Sequence, residues 1–163
     1  MTVRKEIFVK IKTILEQIPE IELVDLQRKQ FSAPQDGAPT YNTAALVELK
    51  SMSWGSIMGQ KQEGTATVDV VLYVKNGWSG QNGVTNHDDF DLVEIDLHEK
   101  IIKRLQSLKG DAFKPIQLTA ETAEEAVNEM MCYRLAFTTD VYRDLSLVYT
   151  NRLLDNHPVI TVT

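Results

Sequence analysis

The chain has almost no cysteine, since Cys132 is the only one among its 163 residues. A single thiol excludes an internal disulfide and is typical of a reducing compartment. Without a cysteine partner or a nucleophile motif around it, Cys132 is expected to be a small packed residue at the start of a strand. Apolar runs of the roughly 20 residues that span a membrane are also lacking. Charged residues interrupt the N-terminal apolar pattern, which argues against a secretory signal and predicts a cytoplasmic chain.

Positive charge is scarce as well. Seventeen lysines and arginines face 23 acidic residues, so the formal net charge is −6. This balance argues against non-specific binding to DNA phosphates. With no sustained Lys/Arg cluster either, we expect no specific binding to nucleic acid.

Motifs for catalysis and for cofactors are missing. No nucleophile elbow, phosphate-binding loop or dinucleotide fingerprint occurs. His87 stands in "NHDD" but has no second His or Cys at metal-ligand spacing, His98 falls on a helix flank, and His157 precedes a proline. The acidic series Glu121, Glu124, Glu125 and Glu129 misses the alternate-residue spacing of a calcium loop, so a solvated face is expected. We expect no catalytic residue, no cofactor and no metal.

What is present is a set of clear periodicities. Residues 4–18 predict an amphipathic helix with its apolar stripe at spacings of three and four, ended by Pro19. Strands are predicted over 21–31, 43–52 and 65–75, with a glycine-bearing arm at 53–64. In the third strand Ala66, Val68, Val70, Leu72 and Val74 share one face. Val71 and Tyr73 make the other face half apolar, which indicates that something covers it.

The second half predicts one helix and two strands. The helix begins at a cap on Asp88 or Asp89, carries a stripe of Phe90, Val93, Leu97, Ile101, Leu105 and Leu108, and ends at Gly110. A short edge strand is predicted over 113–120 and a longer strand over 132–144. The segment "ETAEEAVNEMM" between them has helical composition but suits an exposed loop equally.

The order α-β-β-β-α-β-β predicts a single α+β domain, with an antiparallel or mixed sheet and two helices packed on one face. Its boundaries are 1–143. Residues 144–163 form a C-terminal tail ending in "VITVT", which either adds an edge strand or pairs with a neighbouring subunit. Trp54 and Trp78 lie beside glycines in predicted loops, where an indole either contacts another chain or folds back on the core.

Several stretches resemble the tail-terminator (tail-completion) proteins of long-tailed bacteriophages. They are "RKEIFVKIKTILEQIPEI" leading into a strand, "GTATVDVVLYVKN", "FDLVEIDLHEKIIKRLQSL" and "YRLAFTTDVYRD". The resemblance covers roughly residues 4–143 and is one of element order, not of invariant residues. It implies a ring, typically hexameric, that assembles in the host cytoplasm and caps the tail tube in the neck of the virion.

The partners implied are other copies of the chain, tail-tube protein and head-connector protein, without catalysis. Predicted subunit contacts are Trp54, Ile57 and Met58 of the arm, followed by Trp78 and the half-apolar face of Val71 and Tyr73. Two alternatives stay open. One is another neck component of the head–tail junction. The other is a ligand-binding α+β module or small enzyme of bacterial metabolism, with a pocket near Glu94, His98 and Tyr133.

Overall fold

The structure is a computed structural model that describes residues 1–31, 41–58, 60–75, 93–127 and 130–145, with the backbone alone at 56–58 and 93–94. Two helices and five strands follow one another along the chain. They are α1 (Val3–Leu15), β1 (Leu23–Leu26), β2 (Thr43–Met58), β3 (Lys61–Lys75), α2 (Val93–Leu105), β4 (Gln117–Val127) and β5 (Met130–Asp144).

The five strands form one mixed sheet in the order β1-β2-β3-β5-β4. β1 pairs with β2 in parallel, and the other neighbours are antiparallel. The predicted α+β class and element order are confirmed. Alternation in β3 is confirmed too, since Ala66, Val68, Val70 and Leu72 are buried in one core cluster while Val71 and Tyr73 belong to a second cluster on the other face.

Both helices pack on the same face of the sheet, as predicted. The buried stripe of α1 consists of Val3, Ile7, Ile11 and Leu15, and that of α2 contains Leu97, Ile101 and Leu105. Thr2 caps α1 by accepting the Lys5 backbone N–H through its hydroxyl at 3.4 Å. The first helix ends three residues before the predicted end, yet Ile18 remains buried because the following turn keeps it in the core.

The predicted end of α2 at Gly110 is wrong, since the helix ends at Leu105. Ser107 adopts a positive φ of 70°, and its N–H bonds the Ile116 carbonyl at 3.0 Å, so the chain reverses toward β4. Gly110 has no room for a side chain, because a Cβ there would overlap the Phe113 ring and the Glu6 carboxylate. The expected cap at Asp88 or Asp89 and the expected stripe residue Phe90 lie outside the described residues.

The predicted arm at 53–64 is not a loop. β2 and β3 stay paired from Thr43↔Val74 to Met58↔Lys61, and β5 accompanies β3 along its whole length. A register shift between Leu49 and Ser51 changes the alternation of β2. Met52 and Trp54 therefore pack on the helix side of the sheet. The segment is extended despite its loop-like composition, because β3 pairs with β2 on one side and with β5 on the other.

The undecided segment after residue 120 is a strand. β4 runs to Val127 and forms the edge of the sheet, with Pro115 just before it. β5 matches its predicted span, and its alternation places Leu135, Phe137 and Val141 in the helix-side core. The first strand is shorter than predicted, with four residues. The tail from 146 onward lies outside the described residues.

Candidate functional site

The β2–β3 hairpin is much longer than either helix. Strands of 15 and 16 residues span about 50 Å, whereas a helix of 13 residues spans about 20 Å. One helix therefore covers less than half of the hairpin length, and we call the end of the hairpin where β2 leads into β3 the overhang. This overhang, residues 52–64 with the end of β5, contains three of the predicted contact residues.

Trp54 is fixed on the overhang by its neighbours. The Arg143 guanidinium lies 4.1 Å from the centroid of its indole, a cation–π arrangement, and Arg143 Nε donates to Gln62 Oε1 at 2.7 Å. The indole packs partly buried against the core cluster of the helix side. Trp54 thus folds back on the core, and its remaining surface faces a groove.

The groove lies between the N-terminus of α1 and the overhang, with a volume of about 940 Å³. Its apolar wall includes Met1, Met52, Trp54 and Leu145, and Leu145 is 46% exposed. Both charge signs line the rest, with Arg4 and Lys61 on the basic side and Asp111 and Asp144 on the acidic side. Such a mixed surface fits a protein contact, although its volume also lies within the range of small-molecule sites.

The other predicted contacts are placed in different ways. The backbone of Ile57 and Met58 lies in β2 at the tip of the overhang, while their side chains and the whole of Trp78 lie outside the described residues. Val71 and Tyr73 are 0% and 6% exposed. This burial arises within the chain itself, where Gln27 Nε2 donates to the Tyr73 hydroxyl at 2.8 Å and the centroid of the Phe31 ring lies 4.9 Å from that of Tyr73. Their role in subunit contacts stays a prediction.

The second face of the sheet also carries a charge cluster that the sequence analysis missed. Arg134 Nη1 donates to Glu48 Oε2 and Asp69 Oδ2, each at 2.6 Å, and its Nε and Nη2 donate to Glu124. Lys50 Nζ reaches the same Asp69 oxygen at 3.1 Å. Asp69 is fully buried, and its Oδ1 has no hydrogen-bond partner among the described residues. The sequence signal for this cluster is the charged residues that alternate with apolar ones in β2, β3 and β5. Only the strand register brings these charged side chains together.

Cys132 is adjacent to this cluster. It is a packed residue, as the absence of a nucleophile motif around it predicted. It is 3% exposed. Burial, with the Glu124 carboxylate beside it, raises the pKa of the thiol to about 11. The neutral thiol is therefore the stable form near pH 7, as in a packed cysteine.

His98 and Tyr133, two of the three residues of the alternative ligand pocket, pack against each other. Their ring centroids are 4.4 Å apart in an edge-to-face arrangement. The side chain of Glu94 lies outside the described residues. Burial lowers the pKa of His98, and the Glu121 carboxylate opposes that shift without reversing it.

The lowered pKa predicts how stability depends on pH. Because the folded protein favours neutral His98, the unfolded chain binds more protons below its own pKa of about 6.5. The free energy of unfolding should therefore fall as pH decreases from about 7 through the lowered pKa. His98→Phe keeps a ring against Tyr133 and should remove this part of the decrease, as measured by urea denaturation at several pH values. Equal losses in both proteins between about pH 7 and pH 5 would contradict the expectation.

Other candidate ligands do not form a metal site in the part of the chain that the structure describes. No group of three His, Cys, Asp or Glu residues has metal-binding geometry among residues 1–31, 41–58, 60–75, 93–127 and 130–145. His87, His157 and Glu129 lie outside those ranges. Within the same ranges no helix is long and apolar enough to cross a membrane.

Comparison with known proteins shows a shared fold. No family model and no curated protein matches the chain. Among solved structures, a chain from the virion of a native gene transfer agent (GTA) particle is similar, with a TM-score of 0.53 and 9% identity. The match covers 87% of this chain and 98% of that one. At this identity the likeness establishes that the two chains share a fold.

Proposed function

We propose that the chain is a structural protein of a phage-type particle. It assembles as a ring on the end of the tail tube, where it stops tube growth and offers a surface to the head connector. The observation that carries this proposal is the fold shared with a virion chain over 98% of that chain's length. Assembly takes place in the host cytoplasm, and the finished ring occupies the neck of the particle.

The overhang supplies a surface suited to a neighbouring subunit. Trp54 is fixed there by Arg143, the groove beside it has both charge signs, and the strand backbone leads to Ile57 and Met58 at the tip. Rigid aromatic groups next to arginine are enriched at the centres of protein interfaces. We assign the hairpin end to the contact between subunits, with Trp78 as a second contact. Among the proposed contacts whose side chains the structure describes, Val71 and Tyr73 are buried and Trp54 is partly exposed.

The test is a tube-length assay with the tail-tube protein of the same genome. If this chain is present while tubes grow, the mean tube length should fall as its concentration rises, and negative-stain images should show a ring at tube ends. Added after growth has finished, the chain should bind the ends without changing the length. Unchanged lengths and bare ends would contradict the proposal. Rings that bind the connector but leave tube growth unaffected would indicate a different neck component.

A further inference from the structure

The two edges of the sheet differ in length and charge. β4 (Gln117–Val127) is the last strand in the order and pairs with β5 alone among the described strands, and its residues 119–126 are all exposed. An edge of 11 residues presents a row of backbone N–H and C=O groups that can accept another strand. Its alanines and glutamates are residues that strands usually avoid, so β4 owes its conformation to pairing.

The opposite edge is β1, which pairs with β2 alone among the described strands. The exposed Arg28 and Lys29 lie two and three residues beyond the end of this strand and have no ion pair within the described residues. One acidic residue, Asp25, lies in the strand itself, where its carboxylate accepts the Leu26 backbone N–H at 2.8 Å. On β4 the exposed Glu121 and Glu125 likewise have no ion pair among described residues, whereas Glu124 is taken up by Arg134.

These features distinguish two ways of pairing edges. Joining β4 to β4 of a second copy would bring Glu121 and Glu125 against the same residues, and like charges facing each other across strands are destabilising. Joining β4 to the β1 edge brings Glu121 and Glu125 near the basic Arg28 and Lys29 instead. Because β1 and β4 bound opposite sides of one sheet, this contact is head-to-tail, the type that closes into rings.

We propose that the free edge of β4 in one copy of the chain pairs with the free edge of β1 in the next copy. Glu121 and Glu125 of the first copy then lie close to Arg28 and Lys29 of the second. The inference rests on the proposed ring and names the sheet edges that form it. Its contact is separate from the hairpin overhang.

Charge reversal tests the pairing. E121K/E125K and R28E/K29E should each raise the concentration needed for assembly by about tenfold or more, since each places like charges at the joint. A chain carrying all four changes has the opposite charges restored with the signs exchanged, so it should assemble within about threefold of the wild type. The differences should shrink at about 1 M salt. Sedimentation across a concentration series gives all of these values.

Two controls keep the test specific. E16K/E99K makes the same change in net charge as E121K/E125K, at the exposed C-cap of α1 and an exposed position in α2, and should assemble like the wild type. Hydrogen exchange on the wild-type chain is independent of any variant, and amides of residues 118–126 should exchange more slowly in the assembly than in the dissociated subunit.

Wild-type-like assembly of both reversed pairs, failure of the fourfold variant to recover, or equal exchange of the β4 amides in both states would each overturn the pairing. In those outcomes rings and shortened tubes would still stand, so the proposed function would survive. If the wild-type chain neither assembles nor shortens tubes, the proposed function fails and this contact fails with it.

Discussion

Replacing Arg134 by methionine should lower the free energy of unfolding by about 3 kcal/mol. This value is the lower end of the range measured when one partner of a buried ion pair is removed. Arg134 is the hydrogen-bonding centre for Glu48, Asp69 and Glu124, and Asp69 is fully buried. Without the guanidinium, Lys50 is the one remaining cation bonded to the buried carboxylate among the described residues. Methionine keeps much of the side-chain length, so the loss reports charge and hydrogen bonds more than packing.

The control and the rescue use the same denaturation experiment. Arg104→Met removes an exposed arginine from α2 and should change stability by less than about 0.5 kcal/mol. Asp69→Asn, added to the Arg134→Met chain, removes the buried charge and should recover more than about 1 kcal/mol. A loss for Arg134→Met as small as that for Arg104→Met would contradict the account of the cluster.

The cluster also predicts an acid dependence. The hydrogen bond from Arg134 is the main cause of the lowered pKa of Glu124. A lowered carboxyl pKa contributes stability above the unfolded value of about 4.5, and that contribution is lost as pH falls through the folded value. Arg134→Met should therefore show a shallower decrease in stability below about pH 4.5 than the wild-type chain.

Gly64→Ala should destabilise the fold by about 3 kcal/mol, at the upper end for inserting a methyl group into a packed site. Gly64 faces Trp54 across the hairpin, and a Cβ there would overlap the Ser53 carbonyl oxygen and lie 3.0 Å from its carbon and 3.2 Å from Trp54 Cα. These atoms belong to the backbone of the paired strand, so no rotamer change relieves the overlap. The two strands have to separate at the base of the overhang.

Gly55, on the other strand of the same hairpin, is the matched control. A Cβ at Gly55 would meet the Glu63 carbonyl oxygen at 3.6 Å, an ordinary van der Waals contact. Gly55→Ala should therefore be neutral or stabilising by up to about 1 kcal/mol, since alanine loses less backbone freedom on folding. Equal effects of the two substitutions on the urea midpoint would show that the hairpin is not as closely paired as described.

The elements that sequence predicted well are those whose pattern is local. The 3.6-residue spacing of Ile7, Ile11 and Leu15 and the alternation in β3 and β5 state directly which side chains are buried. The order of these elements then limits the arrangement to an antiparallel or mixed sheet with a helical layer on one face.

The parts that were missed depend on contacts between distant residues. The "ETAEEAV" segment has helical composition, but β5 pairs with it and holds it extended. The glycines at 55 and 64 suggest a loop, yet they lie in paired strands. Position 64 needs a glycine because the opposite backbone is too close for a side chain. The Arg134 cluster joins residues up to 86 positions apart, so it exists only once the strand register is fixed.

The most direct measurement is the absolute mass of the wild-type chain in solution over a wide concentration range, alone and with tail-tube protein. The account predicts a discrete species several times the 18.4 kDa subunit, about 110 kDa for six copies, growing at the expense of smaller species as concentration rises. A mass of one subunit at every concentration, unchanged when tail tubes are present, would contradict it.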